Sequence, residues 1–406
     1  MTKILKKPEL LAPAGNLEKL KVAVLYGADA VFIGGKEFSL RSSASNFSLE
    51  DIKEGVEFAH AHNTKIHVTT NIILHDNNLE GIKEYLLKLD EIGVDAIIVA
   101  DIYIINLAKS LNLNLEVHVS TQLSTTNSAA IKFYEEFGVE RVVLGRETTF
   151  KELEHIRNSA TLDLEYFIHG AMCINYSGRC MLSNYFDKRD ANRGGCSQSC
   201  RWFYDIFEND KQLNNENIPP FTMSSKDMAL VDDIPKLINL GINSFKIEGR
   251  MKSIHYIATI VSTYRKLIDD YCDNPDGFVI DQKYVNELKK AANRAFCDGF
   301  FNGIPDSNNQ LYNLRDEHPT QDFCMRVISY NKDTKEAMIQ QRNHFTKGEV
   351  VEFFSIHHPN YQYTVDKIYN ENHEEVEVAN HPMEILYLKV EEELYPDDMA
   401  RKVVQK

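Results

Sequence analysis

Long apolar runs are missing from this sequence: no stretch of 18 or more apolar residues occurs, so no membrane-spanning helix is expected. The basic start, residues 1–7, runs into Pro8, Glu9, Pro13 and Gly15, which break any signal-peptide core, and a cytoplasmic protein is expected. Positive charge is also scarce. Lys plus Arg number 45 against 60 Asp plus Glu, a net charge of −15, which excludes a surface coated in cations for non-specific nucleic-acid binding. An even cysteine framework is absent too, since seven cysteines suit a secreted disulfide scaffold poorly and a reducing compartment better. No G-x-G-x-x-G follows the first strand, so a dinucleotide site is not indicated. Neither a G-x-S-x-G elbow nor an H-E-x-x-H helix is present, which leaves a protease mechanism without a motif to rest on.

What is present is a soluble globular balance, 43% apolar and 26% charged, over 406 residues. Short apolar runs alternate with amphipathic stretches through the first two thirds, as in parallel strands joined by crossover helices. Eight strands are expected, at 9–12, 30–33, 65–69, 96–100, 115–119, 141–144, 164–168 and 244–247, with helices such as 17–26, 49–60, 79–92 and 129–137 between them. That pattern predicts an α/β fold, a (β/α)8 TIM-like barrel, with an open doubly wound sheet as the alternative. About 80 residues separate the seventh and eighth strand starts, so an insertion is placed there, ending in a helix at 228–240. Further helices are expected at 255–271 and 282–294. Strands at 324–329, 337–341, 349–354, 363–369 and 385–390 then suggest a small β-barrel-like appendage. The expected division is a barrel over 1–295 carrying a metal-binding insertion at 171–220, a linker at 296–322, and a β-rich domain at 323–406.

In such a barrel the βα loops carry the chemistry, so the residues following each strand matter most. They are unusually polar: Asn71, Asp101, Ser120, Thr121, Gln122, Arg146, Glu147, His169, Glu248, Arg250 and Lys252. Singly, each reads as a helix cap or solvated loop; together they point to one rim. His169, Glu248 and Arg250 are the candidate catalytic residues. Arg41, Asn71, His118, Gln122, Arg146, Arg179 and Lys252 are the candidate substrate-binding residues, the arginines because their forks match carboxylate or phosphate. For His118 and His169 the competing reading is a structural histidine held by hydrogen bonds.

Cys173, Cys180, Cys196 and Cys200 follow the spacing C-x6-C-x15-C-x3-C within the insertion. Thiolates so crowded suit a metal, and the irregular gaps favour an iron-sulfur cluster over zinc, which remains the alternative, as do buried free thiols. Cys272, Cys297 and Cys324 lie apart and read as structural. Between Ala171 and Trp202 five cations face two anions, +5 − 2 = +3, against the sign of the whole chain.

The stretch Glu165 to Cys173 (EYFIHGAMC) followed by Asn175 to Cys180 (NYSGRC) resembles the signature of the U32 peptidase family. Residues 9–15 (ELLAPAG), 39–48 (SLRSSASNFS), 118–122 (HVSTQ), 192–202 (NRGGCSQSCRW) and 246–252 (KIEGRMK) extend the resemblance over the barrel. It implies an oxygen-independent hydroxylase that depends on a [4Fe-4S] cluster, with prephenate as a small anionic oxygen donor. Within the family the chain looks most like the tRNA hydroxylation protein P group, which implies conversion of the wobble uridine to 5-hydroxyuridine in a tRNA anticodon stem-loop. Hydroxylation of ribosomal RNA or of a quinone ring, a collagenase-like peptidase, and a non-catalytic metal-stabilised binding protein are the alternatives. A homo-oligomer, or a hetero-oligomer with a paralogue, also stays open.

Overall fold

Val, Ile and Leu dominate the expected strands, and both faces of most of them are covered. The structure, a computed structural model, describes residues 6–40, 46–215, 217, 220–311 and 319–403. Strands β1 (Glu9–Pro13), β2 (Ala30–Gly34), β3 (Lys65–Thr70), β4 (Ala96–Val99), β5 (Glu116–Val119), β6 (Arg141–Val143) and β7 (Asp163–Ala171) pair in parallel, in chain order. A short hairpin, β8 (Phe207–Glu208) with β9 (Lys211–Gln212), and β10 (Asp227–Ala229) intervene before β11 (Ser244–Ile247). β11 closes the barrel: Phe245 stands opposite Leu10 of β1 and Tyr166 of β7. Helices α1 (Leu17–Leu25), α2 (Leu49–Ala61), α3 (Ile82–Ile92), α4 (Ile102–Ser110), α5 (Ser128–Glu136) and α6 (Phe150–Ser159) follow the first six strands. Local chemistry sets their starts. Ser48 and Asp51 form a reciprocal capping box at α2, Thr149 and Glu152 another at α6, and Asp101 caps α4 through the Tyr103 N–H at 2.8 Å.

The long α9 (Ile254–Asp273) packs against α1 and β1, behind α7 (Leu182–Asp187) and α8 (Ile234–Leu240) in chain order and before α10 (Gln282–Lys289). Four expectations are corrected. Residues 227–229 are not helical, because β7 runs on past the barrel to Ala171 and offers its edge to β10; Pro235 then opens α8. α10 stops at Lys289, where Asn293 and Arg294 turn inward to meet Lys252 and Asp227. Phe296–Cys297 pairs with β10, and Phe301 is buried beneath Phe150 and Tyr166, so this part of 296–322 is packed onto the barrel. The expected strand at 363–369 is two, Tyr361–Thr364 and Ile368–Tyr369, which pair with different neighbours.

After residue 319 comes an eight-stranded antiparallel sheet over its own core of Val327, Ile339, Phe353, Leu386 and Leu388. Its strand Met399–Val403 lies between Gln321–Asn331 and Val350–Phe354, and sequence reading missed it because two of its five residues are cations. One of these, Arg401, is fully buried. It donates to Glu287 of α10, Glu352 and Thr259 of α9, with Phe354 4.1 Å from its guanidinium carbon. Phe354 and Met399 join the barrel's core, so the sheet is docked rather than tethered. Among the described residues no helix is long and apolar enough to cross a membrane.

Candidate active site

β7 delivers the cysteine loop to the barrel mouth. Gly170, at φ +111°, sits where a Cβ would lie 2.7 Å from the Glu248 carbonyl oxygen, so the end of β7 and the loop after β11 touch backbone to backbone. The loop that follows is fixed from three sides. Glu147 accepts the Ser177 N–H at 2.7 Å and its hydroxyl; Gly178, at φ +73°, lies against the Gln122 carbonyl; Asn192 donates to the Cys180 carbonyl at 3.0 Å and accepts from the Ile73 N–H. The loops after β3, β5 and β6 thus hold the insertion over the mouth.

The four thiols gather there. Cys173 keeps an open edge to solvent, yet the protein around it raises its thiol pKa, with the Arg146 charge pulling the other way. Burial also raises the Cys200 thiol; Arg201 opposes this, and Cys173, Cys196 and Cys180 add to it, so Cys200 has all three as electrostatic neighbours. Asn175 donates to the Cys180 sulfur at 3.1 Å. Beside them Arg146 donates to Glu248 at 2.9 Å and lies over the Phe167 ring at 3.9 Å, both partners nearly buried.

The sequence-derived candidates divide in space. Asn71, which accepts from the Leu40 N–H and lies 3.5 Å from the Ser120 hydroxyl, shares the rim with Gln122, Arg146, Glu248 and the cysteines. Arg179 is exposed and donates to the Ser124 hydroxyl at 3.2 Å. Arg250 is instead buried under the rim, where its guanidinium donates to Asn46 at 2.7 Å and to the Leu40 carbonyl. Lys252 turns to Asn293. His169 follows a register shift between Lys246 and Ile247, and its ring packs among Tyr256 and Tyr264 of α9 and Phe296. Burial there, reinforced by Lys252, holds its pKa at about 3, so at neutral pH it has no proton to give as an imidazolium. Arg41 lies outside the described residues.

His118 lies lower, inside the barrel. It bonds Glu116 at 2.9 Å and meets His67 edge-on at 4.9 Å, above Glu9, Arg141, Glu165 and Lys246. Among the described residues, His67, His118 and Glu165 form the one trio whose metal-ligating atoms lie within 4.8 Å of one another. Arg141 and Lys246 both bond Glu165, and two cations at that carboxylate repel a third, so the trio reads as part of a buried ion network. Four thiols on one loop, with an amide donor to the Cys180 sulfur, form a set that could hold a metal ion or an iron-sulfur core. The anchors Ser124, Ser177 and Tyr256, whose hydroxyl donates to the Glu248 carbonyl, were missed in the sequence, where an isolated hydroxyl carries no signal.

Residues 15–311 match the model of peptidase family U32, and residues 319–401 match that family's C-terminal domain. The chain belongs to peptidase family U32. It is 51% identical over 403 residues to the tRNA hydroxylation protein P1 of Bacillus subtilis (strain 168), covering 98% of this chain and 96% of that one. The 23S rRNA 5-hydroxycytidine synthase of Escherichia coli (strain K12) is 40% identical over 72% of this chain and 45% of its own. A collagenase of Porphyromonas gingivalis (strain ATCC BAA-308 / W83) is 31% identical over 73% of each. In this U32 chain the signature run from Glu165 to Cys180 therefore does two jobs: its first residue balances charge inside the barrel, and its last ones bring thiols to the mouth.

Proposed function

We propose that this U32 protein is an RNA-modifying, oxygen-independent hydroxylase that converts the wobble uridine of tRNA to 5-hydroxyuridine. The observation that carries the reading is the meeting of four thiols with the Arg146–Glu248 pair at a barrel mouth, in a chain half identical to a named tRNA hydroxylation protein. Cys173, Cys180, Cys196 and Cys200 would hold a [4Fe-4S] cluster, which supplies redox chemistry when bound. Arg179 at the rim, with Arg146, suits the carboxylates of a small anionic donor, for which prephenate is proposed. Arg250 does not enter this role, because protein acceptors already engage its guanidinium. The anticodon loop presents its wobble base unpaired, which lowers the cost of seating that base in a pocket.

The test is nucleoside mass spectrometry of tRNA from cells lacking every U32 paralogue, with this protein alone restored. Return of 5-hydroxyuridine-type nucleosides supports the reading. Return of a ribosomal or quinone hydroxylation instead would leave the reaction class and overturn the substrate. Peptide cleavage as the sole restored activity would favour the reading that the collagenase-named relative suggests.

A further inference from the structure

The insertion also carries most of the exposed aromatic surface. Ten Phe, Tyr and Trp side chains are exposed among the described residues, and seven of these fall between 176 and 221. Apolar surface at that density is rarely left to water unless something covers it. Tyr185, on α7, is 82% exposed; its neighbour Phe186 lies 5.4 Å from Tyr204 between ring centroids; Phe207 projects from the β8–β9 hairpin. Trp202 and Phe203 come directly after Cys200 and Arg201, so this aromatic face begins at the thiol site.

Cations interleave with these rings. Arg179, Lys188, Arg189 and Arg201 lie in the same stretch of a chain whose net charge is −15. Arg193, by contrast, is engaged by His75 and Asn78 and helps pin the loop down. Rings that stack on any base, with cations for the phosphates between them, are what an unpaired nucleic-acid strand needs. Aromatic rings and arginine also occur at protein interfaces, so a second copy of this chain is the competing occupant.

We propose that this aromatic and basic face is the platform on which unpaired bases of the substrate RNA loop stack, holding the loop against the cysteine site. The inference rests on the RNA-hydroxylase reading above and adds to it the surface that recognises the loop. It assigns Tyr185, Trp202 and Phe207 to stacking, and Lys188 and Arg201 to the phosphates.

Trp202 is the chain's single tryptophan and is 41% exposed, so its fluorescence reports on this face alone. The experiment titrates the full-length protein with an RNA hairpin bearing an anticodon-type loop and with a blunt duplex of the same stem. The hairpin should quench Trp202 and the duplex should not. Tyr185→Ala combined with Phe207→Ala should weaken hairpin binding by about tenfold per ring removed, with the thermal midpoint unchanged because both rings face solvent. Unchanged affinity in that double variant, while the wild-type protein still binds the hairpin and modifies tRNA, would overturn the platform and leave the hydroxylase reading standing. A wild-type protein that neither binds the hairpin nor modifies tRNA takes both down. A dimer seen by sedimentation for the wild type and lost in the double variant would give the face to a second copy and overturn the proposal.

Discussion

Arg146 donates to Glu248 at 2.9 Å across the barrel mouth, from the end of β6 to the end of β11, with Cys173 as their electrostatic neighbour. The pair is nearly buried, and Phe167 beneath Arg146 leaves its guanidinium little freedom. Removing one partner leaves the other desolvated and unmatched. Arg146→Gln should cost about 2 kcal/mol in chemical denaturation and lower restored tRNA hydroxylation by about tenfold or more through lost positioning. Arg146→Lys, which keeps the charge without the planar fork, should recover part of the activity. Wild-type stability and activity in the Gln variant would remove the pair from the site.

Anaerobically purified protein is expected to be coloured, with iron and sulfide, since four irregularly spaced cysteines of one loop meet at the barrel mouth. Cys173→Ala or Cys180→Ala should abolish the absorption. Cys324→Ala should not, because that thiol is buried in the C-terminal sheet. Stoichiometric zinc without sulfide after anaerobic reconstitution would defeat the expectation.

Gly34 and Arg250 are matched. A Cβ on Gly34 would stand 2.0 Å from the Arg250 Nη2 and 2.4 Å from the Ser39 hydroxyl. Gly34→Ala should therefore displace the guanidinium from Asn46 and Leu40 and cost about 1–3 kcal/mol, with Arg250→Lys similar in size. Equal stability of the alanine variant in urea titration would show that the arginine can move without loss.

Acid should destabilise the fold well before its carboxylates are neutralised. His67, His169 and His255 are buried, and burial holds each ring at about 3 against an ordinary 6.5. The unfolded chain binds more protons between those values, so stability is fully present above pH 6.5 and is lost as pH falls toward 3. Each ring contributes about 1.4 kcal/mol per pH unit in that window. His255, stacked on Phe323 at 5.5 Å, can be replaced by Phe, and that variant should flatten the profile by about one proton. Unfolding free energies that stay level from pH 7 to 5 would refute this.

Arg401 fastens the C-terminal sheet to the barrel through Glu287 and Glu352. Arg401→Ala leaves Glu287 and Glu352 to share Lys290 as their cation and should cost about 3–5 kcal/mol. Arg401→Met with Glu287→Gln should regain part of that loss, because Glu352 then keeps Lys290 to itself. If the double variant is no more stable than the single one in calorimetry, packing rather than charge holds the interface.

By itself the sequence determined the alternation of strand and helix, because each apolar run had to be a strand buried on both sides and each amphipathic stretch a helix covering it; the pairing of β11 with both β1 and β7 closes the barrel. Val31, Val68, Ile97 and Val117 sit in the expected strands with essentially no exposure. It also determined that four cysteines share one loop and that this loop is cationic. Tertiary structure alone decided which polar residues reach the mouth. His169, Arg250 and Lys252 stand at strand ends as Arg146 and Glu248 do, yet a skipped residue in the β7–β11 register and the acceptors Leu40 and Asn46 draw the first two away, and Asn293 takes the third. Arg401 makes the same point from the other side: a cation reads as surface until two carboxylates from distant segments close over it. Periodicity reports the surroundings that a residue shares with its own element, whereas a side chain's partners come from other elements, and only the folded chain brings those together.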